Sequence, residues 1–141
     1  MLWVVALYLS RAVALPMVAA IGAYAGVDSA ALALVRKFWS ANTLAPSLIA
    51  LPVLIAMVLR IPKAPGAIRW IWARGRPLLA TAAAIDLALA LAAPFRQPTI
   101  GDDALLSLIL GAVDLYFLLY ILLARRVKDT FADFPPPLPG D

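Results

Sequence analysis

The chain has 141 residues, of which 65% are hydrophobic and only 14% are charged, and its formal net charge is +4. It contains no cysteine, histidine or glutamate. Disulfides, the usual zinc, copper and iron–sulfur sites, and nucleophiles that depend on a histidine base are therefore excluded. The composition predicts a protein that is not an enzyme and that holds neither a metal nor a cofactor.

The apolar residues gather into four blocks, each near the length of about 20 residues that crosses a bilayer. The blocks cover about residues 2–25, 43–59, 78–93 and 104–124. They predict an all-α polytopic membrane protein, with four transmembrane helices in one domain over residues 1–128 and a proline-rich tail over residues 129–141. The first block lacks a basic start and is too long for a signal peptide, so we expect it to remain as a helix.

Prolines and charges refine this topology. Pro16 and Pro52 lie inside blocks and predict kinks. Between the first two blocks, Arg36, Lys37 and Trp39 indicate a short helix in the head-group zone. Five basic residues between residues 60 and 77 and three after residue 124 lie on one side, against three on the other. This asymmetry predicts an inner-membrane protein with both termini in the cytoplasm.

Arg11, Asp86 and Asp114 each interrupt a different apolar block near its middle. Each such charge costs roughly 2.5–3.5 kcal/mol on insertion scales, so a charge at this depth needs a partner or a polar path. If the first and third spans run outward and the fourth inward, all three residues lie at one depth. We therefore predict a cluster in which Arg11 lies between two carboxylates.

Small residues flank the two aspartates and favour close packing of the third and fourth spans. They are Ala82, Ala83, Ala90 and Gly111. Because Gly111 lies one turn before Asp114, we expect Asp114 to be the closer partner of Arg11.

Three interpretations of the cluster remain open. It is a structural ion pair, or the surplus carboxylate binds a proton or a cation, or one of the charges faces a partner subunit. Tyr8, Ser10 and Tyr116 are candidates for a polar path that extends from the cluster. The alternative for the two tyrosines is simple packing in the bundle or at the lipid interface.

Two further stretches point to partners. The basic and aromatic residues of the central loop are typical of a lipid–water interface and favour anionic lipid over nucleic acid. They are Arg69, Trp70, Trp72, Arg74 and Arg76. The tail has polar, aromatic and proline residues that suggest docking to a partner, with a plain disordered tail as the alternative. These residues are Arg125, Arg126, Asp129, Asp133, Phe134 and Pro135.

The segments Leu7–Arg11 and Val113–Pro135 resemble the YfeZ-like family of uncharacterised bacterial inner-membrane proteins. The resemblance implies a small multi-helix inner-membrane protein of unknown activity. It places Arg11, Asp114 and the tail residues named above among the features of the family, and it assigns no catalytic residue.

The leading hypothesis for function is a non-enzymatic membrane subunit, which either serves a larger complex or associates with itself as a homo-oligomer. The alternative is a proton- or cation-coupled transporter or channel that works through the Arg11–Asp86–Asp114 cluster. A chain of 141 residues is small for a complete transporter, so this alternative requires an oligomer.

Overall fold

The computed structural model describes residues 1–26, 44–96 and 102–135. These residues form seven helices and no strands, which confirms the all-α prediction for this part of the chain. The helices are α1 (Leu2–Leu9), α2 (Arg11–Tyr24), α3 (Leu44–Val58), α4 (Gly66–Ala73), α5 (Gly75–Arg96), α6 (Asp102–Leu123) and α7 (Arg125–Ala132). The predicted interfacial helix with Arg36, Lys37 and Trp39 lies outside the described residues, as does the chain after Pro135.

Two of the described helices are long and apolar enough to cross a membrane. They are α5 over Gly75–Ala92 and α6 over Leu105–Leu123. Together α1 and α2 would make a third span, but they are bent by 79° relative to each other, as in a broken span or a re-entrant loop. The apolar helix α3 has only 15 residues. The described helices therefore provide two or three spans by length and composition, rather than the four that the apolar blocks predict.

The first apolar block bends at a different residue from the one predicted. Pro16 lies inside α2, and the break falls at Ser10, whose backbone angles are φ −88° and ψ 5°. Val13 N–H donates to the Ser10 carbonyl at 3.0 Å. This i to i−3 bond closes a tighter turn than the i to i−4 bond of a continuous α-helix. The chain therefore changes direction immediately before Arg11.

The antiparallel pair of α5 and α6 forms the centre of the fold. A Cβ atom added at Gly111 would lie 3.4 Å from the Ala90 side chain, in van der Waals contact, so small residues of the two helices face each other here. At one end of the pair, Arg76 Nε donates to the Ile121 carbonyl at 3.1 Å, and its Nη2 donates to the Leu122 carbonyl at 2.7 Å. Helix α3 packs against α5, and α1 packs against both.

The helices α4 and α7 pack together at this same end of the pair. Sequence reasoning treated residues 60–77 as a loop and began the tail at residue 129, so it missed α4 and the extension of α7 to Ala132. Val127 and Phe131 of α7 are buried. The Phe131 ring lies over Gly75, where an added Cβ would come within 2.2 Å of it.

Candidate functional site

The bend at Ser10 brings Arg11 to the middle of α5. Arg11 Nη1 donates to Asp86 Oδ2 at 2.6 Å and to the Tyr8 carbonyl at 3.2 Å. The guanidinium also lies over the Tyr8 ring, 4.2 Å from its centroid. Asp86 is only 2% exposed, so the ion pair is largely shielded from solvent. Asp114 was the wrong choice for the partner of Arg11: Gly111 of α6 faces Ala90 of α5, and the guanidinium donates to Asp86 instead.

Asp114 completes the cluster as its unpaired member. Its side chain is 0% exposed, and neither of its oxygens accepts a hydrogen bond from a described residue. Arg11, Asp86 and Tyr8 are its charged and polar neighbours. The structure therefore brings the three predicted charges together, but the single cation pairs with Asp86, and the Asp114 carboxyl group has the Tyr8 side chain as a polar neighbour without an ion pair of its own among the described residues.

Two more side-chain oxygens in the cluster region are buried and make no hydrogen bond with a described residue. They are Tyr8 Oη and Ser10 Oγ. Tyr116, by contrast, is 56% exposed, and its ring contacts Phe117 with the centroids 5.7 Å apart. Of the three residues predicted for a polar path, Tyr8 and Ser10 therefore lie at the cluster, whereas Tyr116 faces outward from the bundle.

Ser47, which sequence reasoning did not single out, contacts the broken backbone beside the cluster. Its hydroxyl donates to the Leu9 carbonyl at 2.8 Å and accepts from Ala12 N–H at 3.2 Å. Ser47 is fully buried on α3. A polar residue in an apolar block was a visible signal, but the sequence did not show that its partners lie 35 and 38 positions away.

The residues predicted for a lipid interface divide into two groups. Trp70 is exposed, and Arg74 stacks over its ring at 4.3 Å. Trp72 is only 2% exposed and packs against Phe131, so its assignment to the lipid interface was wrong. Arg76, which was also predicted for the interface, donates to carbonyls at the end of α6, as described above. Arg69 donates to the Pro62 carbonyl and lies over the Phe134 ring at 4.8 Å.

The end of the tail docks onto its own chain. The Asp133 carbonyl accepts from Trp72 Nε1 and from Arg60 Nη2, each at 2.9 Å. Arg60 also pairs with the Asp133 carboxylate at 2.8 Å and lies over the Trp72 ring. Two of the predicted docking residues, Asp133 and Phe134, therefore make intramolecular contacts. Three others are exposed: Arg125, Arg126 and Asp129. Pro135 is the last described residue.

The fold and the cluster define a class: an α-helical protein with apolar helices compatible with a membrane and a buried group of one arginine and two aspartates. The chain belongs to the family described as protein of unknown function (DUF2919), whose sequence model matches residues 1–133. Comparison with curated proteins and with solved structures returns no match.

Proposed function

We propose that the protein is a small non-enzymatic membrane subunit whose charge cluster binds and releases a proton or a small cation at Asp114. The observation that supports this proposal is the environment of Asp114, which is fully buried and accepts no hydrogen bond from a described residue. A carboxylate ion in such surroundings loses several kcal/mol of hydration, and the Arg11 charge that could offset this loss is already paired with Asp86. A proton or a bound cation removes that cost.

The state of Arg11 supports the same conclusion. Its guanidinium is already engaged by Asp86, by the Tyr8 carbonyl and by the Tyr8 ring. One cation cannot fully neutralise two carboxylates in apolar surroundings. The net charge of the cluster therefore changes when Asp114 gains or loses a proton, and a cluster of this kind inside a membrane is a candidate for ion coupling.

The broken helix is a second supporting feature. Many transporters place interrupted helices around a site near the midplane, where freed backbone groups and polar side chains meet the substrate ion. Here the interruption at Ser10 adjoins Arg11, and Ser10 Oγ is buried without a partner among the described residues. A single cluster in so short a chain favours action as an oligomer or as part of a larger complex.

The test is infrared spectroscopy of the purified protein in lipid as the pH is varied. We expect the C=O band of a protonated carboxylic acid, and we expect Asp114→Asn to remove it. Asp133→Asn is the matched control, because its side chain is 78% exposed and pairs with Arg60, and it should leave the band in place. A band that survives in Asp114→Asn would contradict the proposal. Loss of the band when Na⁺ or K⁺ is added at constant pH would identify that cation as a competitor of the proton.

For the membrane setting, we propose a multi-pass protein of the bacterial inner membrane, related to the YfeZ-like proteins, with four spans and both termini in the cytoplasm. The apolar helices α5 and α6 support the multi-pass arrangement. The excess of basic residues around residues 60–77 and after residue 124 supports the orientation. Anionic lipid head groups are the proposed partners of the exposed Trp70 and Arg74.

A second candidate is an accessory or self-associating subunit that moves no ion, and helix α2 is the observation in its favour. Ala12 is the only buried residue of α2, while Met17, Val18 and Ile21 are well exposed. Because the chain has no cysteine, Val18→Cys offers a clean cross-linking test in native membranes. Self-association through α2 predicts a disulfide-linked dimer, whereas Ile109→Cys on the exposed face of α6 is the control and should stay monomeric.

A further inference from the structure

The break between α1 and α2 would leave backbone groups unsatisfied. In a continuous helix the Leu9 carbonyl would accept from Val13 N–H, and Ala12 N–H would donate to the Tyr8 carbonyl. Here Val13 N–H donates to the Ser10 carbonyl instead. Inside an apolar bundle each unsatisfied backbone group costs several kcal/mol, so the break needs substitute partners.

One side chain supplies partners for the Leu9 carbonyl and Ala12 N–H, and a second contacts the Tyr8 carbonyl, which also accepts a backbone N–H. The Ser47 hydroxyl donates to the Leu9 carbonyl and accepts from Ala12 N–H, so one buried oxygen bonds with a group on each side of the break. Arg11 Nη1 donates to the Tyr8 carbonyl while it also holds Asp86. The bend and the ion pair are thus linked, because the guanidinium that binds Asp86 also contacts the backbone at the break.

We propose that Ser47 is a positioning residue for the charge cluster, whose hydroxyl holds α1 and α2 at the angle that aims Arg11 at Asp86 and away from Asp114. Without this hydroxyl, the nearest partners for the Leu9 carbonyl and Ala12 N–H are those of a continuous helix. Straightening would then restore the i to i−4 bonds and move Arg11 relative to α5. The effect on ion binding rests on the proposed function, whereas the effect on the bend does not.

The experiment measures the distance between spin labels on Val4→Cys and Tyr24→Cys, in the full chain in lipid nanodiscs. Both positions are exposed, and the chain has no native cysteine. With a rise of about 1.5 Å per residue, the Cα–Cα distance is about 24 Å for a 79° bend and about 30 Å for a straight helix. We expect the shorter distance in the parent protein and the longer distance in Ser47→Ala.

Three further variants isolate the contribution of the Ser47 hydroxyl. Ser47→Thr keeps the hydroxyl and should retain the short distance. Ser47→Val has the shape of threonine without the hydroxyl, and it should give the long distance. Ser10→Ala removes a buried hydroxyl at the break that has no partner among the described residues, and it should leave the distance unchanged. Short distances in both Ser47→Ala and Ser47→Val would overturn the proposal. So would failure of both variants to fold while Ser47→Thr folds, since the hydroxyl would then support the fold and not the angle.

The infrared band separates this proposal from the proposed function. If Ser47→Ala lengthens the distance and Asp114→Asn leaves the band in place, the positioning role stands and the ion-binding function fails. If the band belongs to Asp114 but the distance stays short in Ser47→Ala, the function stands and the positioning role fails. If both hold, we expect Ser47→Ala to shift the pH midpoint of the band, because Arg11 then sits differently relative to Asp114.

Discussion

Arg11 and Asp86 form a buried pair, and such pairs are more costly to break than to replace. In Arg11→Leu, the buried Asp86 loses its counter-ion and its hydrogen-bond donor, so we expect a loss of about 3–5 kcal/mol in the free energy of unfolding. Adding Asp86→Leu removes the orphaned carboxyl group and should recover a large part of that loss. Unfolding of the variants in detergent, followed by circular dichroism, measures both effects.

Asp114 provides the control for this cycle. Because it is not the hydrogen-bonded partner of Arg11, adding Asp114→Leu to Arg11→Leu should recover less stability than adding Asp86→Leu. If either aspartate substitution recovers the same free energy of unfolding, Arg11 stabilises both carboxylates equally. Strictly additive losses in Arg11→Leu with Asp86→Leu would show that the pair observed here does not contribute as a pair.

The sequence was sufficient to predict that these three charges meet, because lone charges in apolar helices leave few alternatives. It was not sufficient to choose between the two aspartates. Which aspartate pairs with Arg11 depends on the direction in which the Arg11 side chain leaves the break at Ser10. Ser47, on another helix, bonds with the backbone on both sides of this break. The proline rule placed the bend at Pro16 because proline is the local signal, whereas the real cause is a contact between distant residues.

Among the elements, the two eight-residue helices α4 and α7 were the hardest to predict. Isolated helices this short have marginal stability in water. Both also lie in basic or proline-flanked sequence, which is typical of loops. They form because they pack: Trp72 of α4 lies against Phe131 of α7, with ring centroids 4.8 Å apart. The i, i+4 pair of Val127 and Phe131 was the available signal for an amphipathic α7.

The packing of α7 against Gly75 yields a prediction. In Gly75→Ala the new methyl group would lie 2.2 Å from the Phe131 ring, so this ring must move and the packing of α7 is weakened, at a cost of about 1–3 kcal/mol. Limited trypsin digestion should then cut faster after Arg125, Arg126 and Lys128, because cleavage requires local opening of the helix.

Gly66→Ala is the matched control, because an added Cβ there meets nothing within 4 Å. It should leave the digestion rate unchanged or slow it slightly, since alanine favours a helix over glycine. Equal digestion of both variants would contradict the tight contact between α7 and Gly75.

By contrast, the ion pair of Arg60 with Asp133 should contribute little to the packing of α7, because the Asp133 side chain is 78% exposed.

At the scale of the whole molecule, side-chain contacts fix the direction of α1. Arg11 meets the middle of α5, while Tyr8 packs edge-on against Phe117, with ring centroids 5.1 Å apart. Phe117 lies nearer than Asp114 to the end of α6 that contacts Arg76. Helix α1 therefore starts on the side of the molecule where α4 and α7 lie, and this supports the proposal that both termini face the same compartment.

Charge counting alone does not decide the number of spans. Both a two-span and a four-span arrangement keep the loop around residues 60–77 and the tail on the cytoplasmic side, and they differ in the placement of residues 27–43. Four spans put Arg36 and Lys37 outside, whereas two spans put them inside. The bent pair of α1 and α2 and the 15 residues of α3 are the elements whose crossing is at issue.

Cysteine accessibility in intact cells decides between these arrangements. We expect a membrane-impermeant maleimide to label Ser40→Cys and Thr99→Cys from outside, and to label Lys63→Cys and Lys128→Cys only after permeabilisation. Thr99→Cys and Lys63→Cys are internal controls, because both arrangements give them the same sides. Labelling of Ser40→Cys only after permeabilisation would rule out four spans. It would leave two or three spans. In the two-span arrangement, α1, α2 and α3 enter the bilayer and return to the same side, so that Arg11 reaches Asp86 from a re-entrant segment.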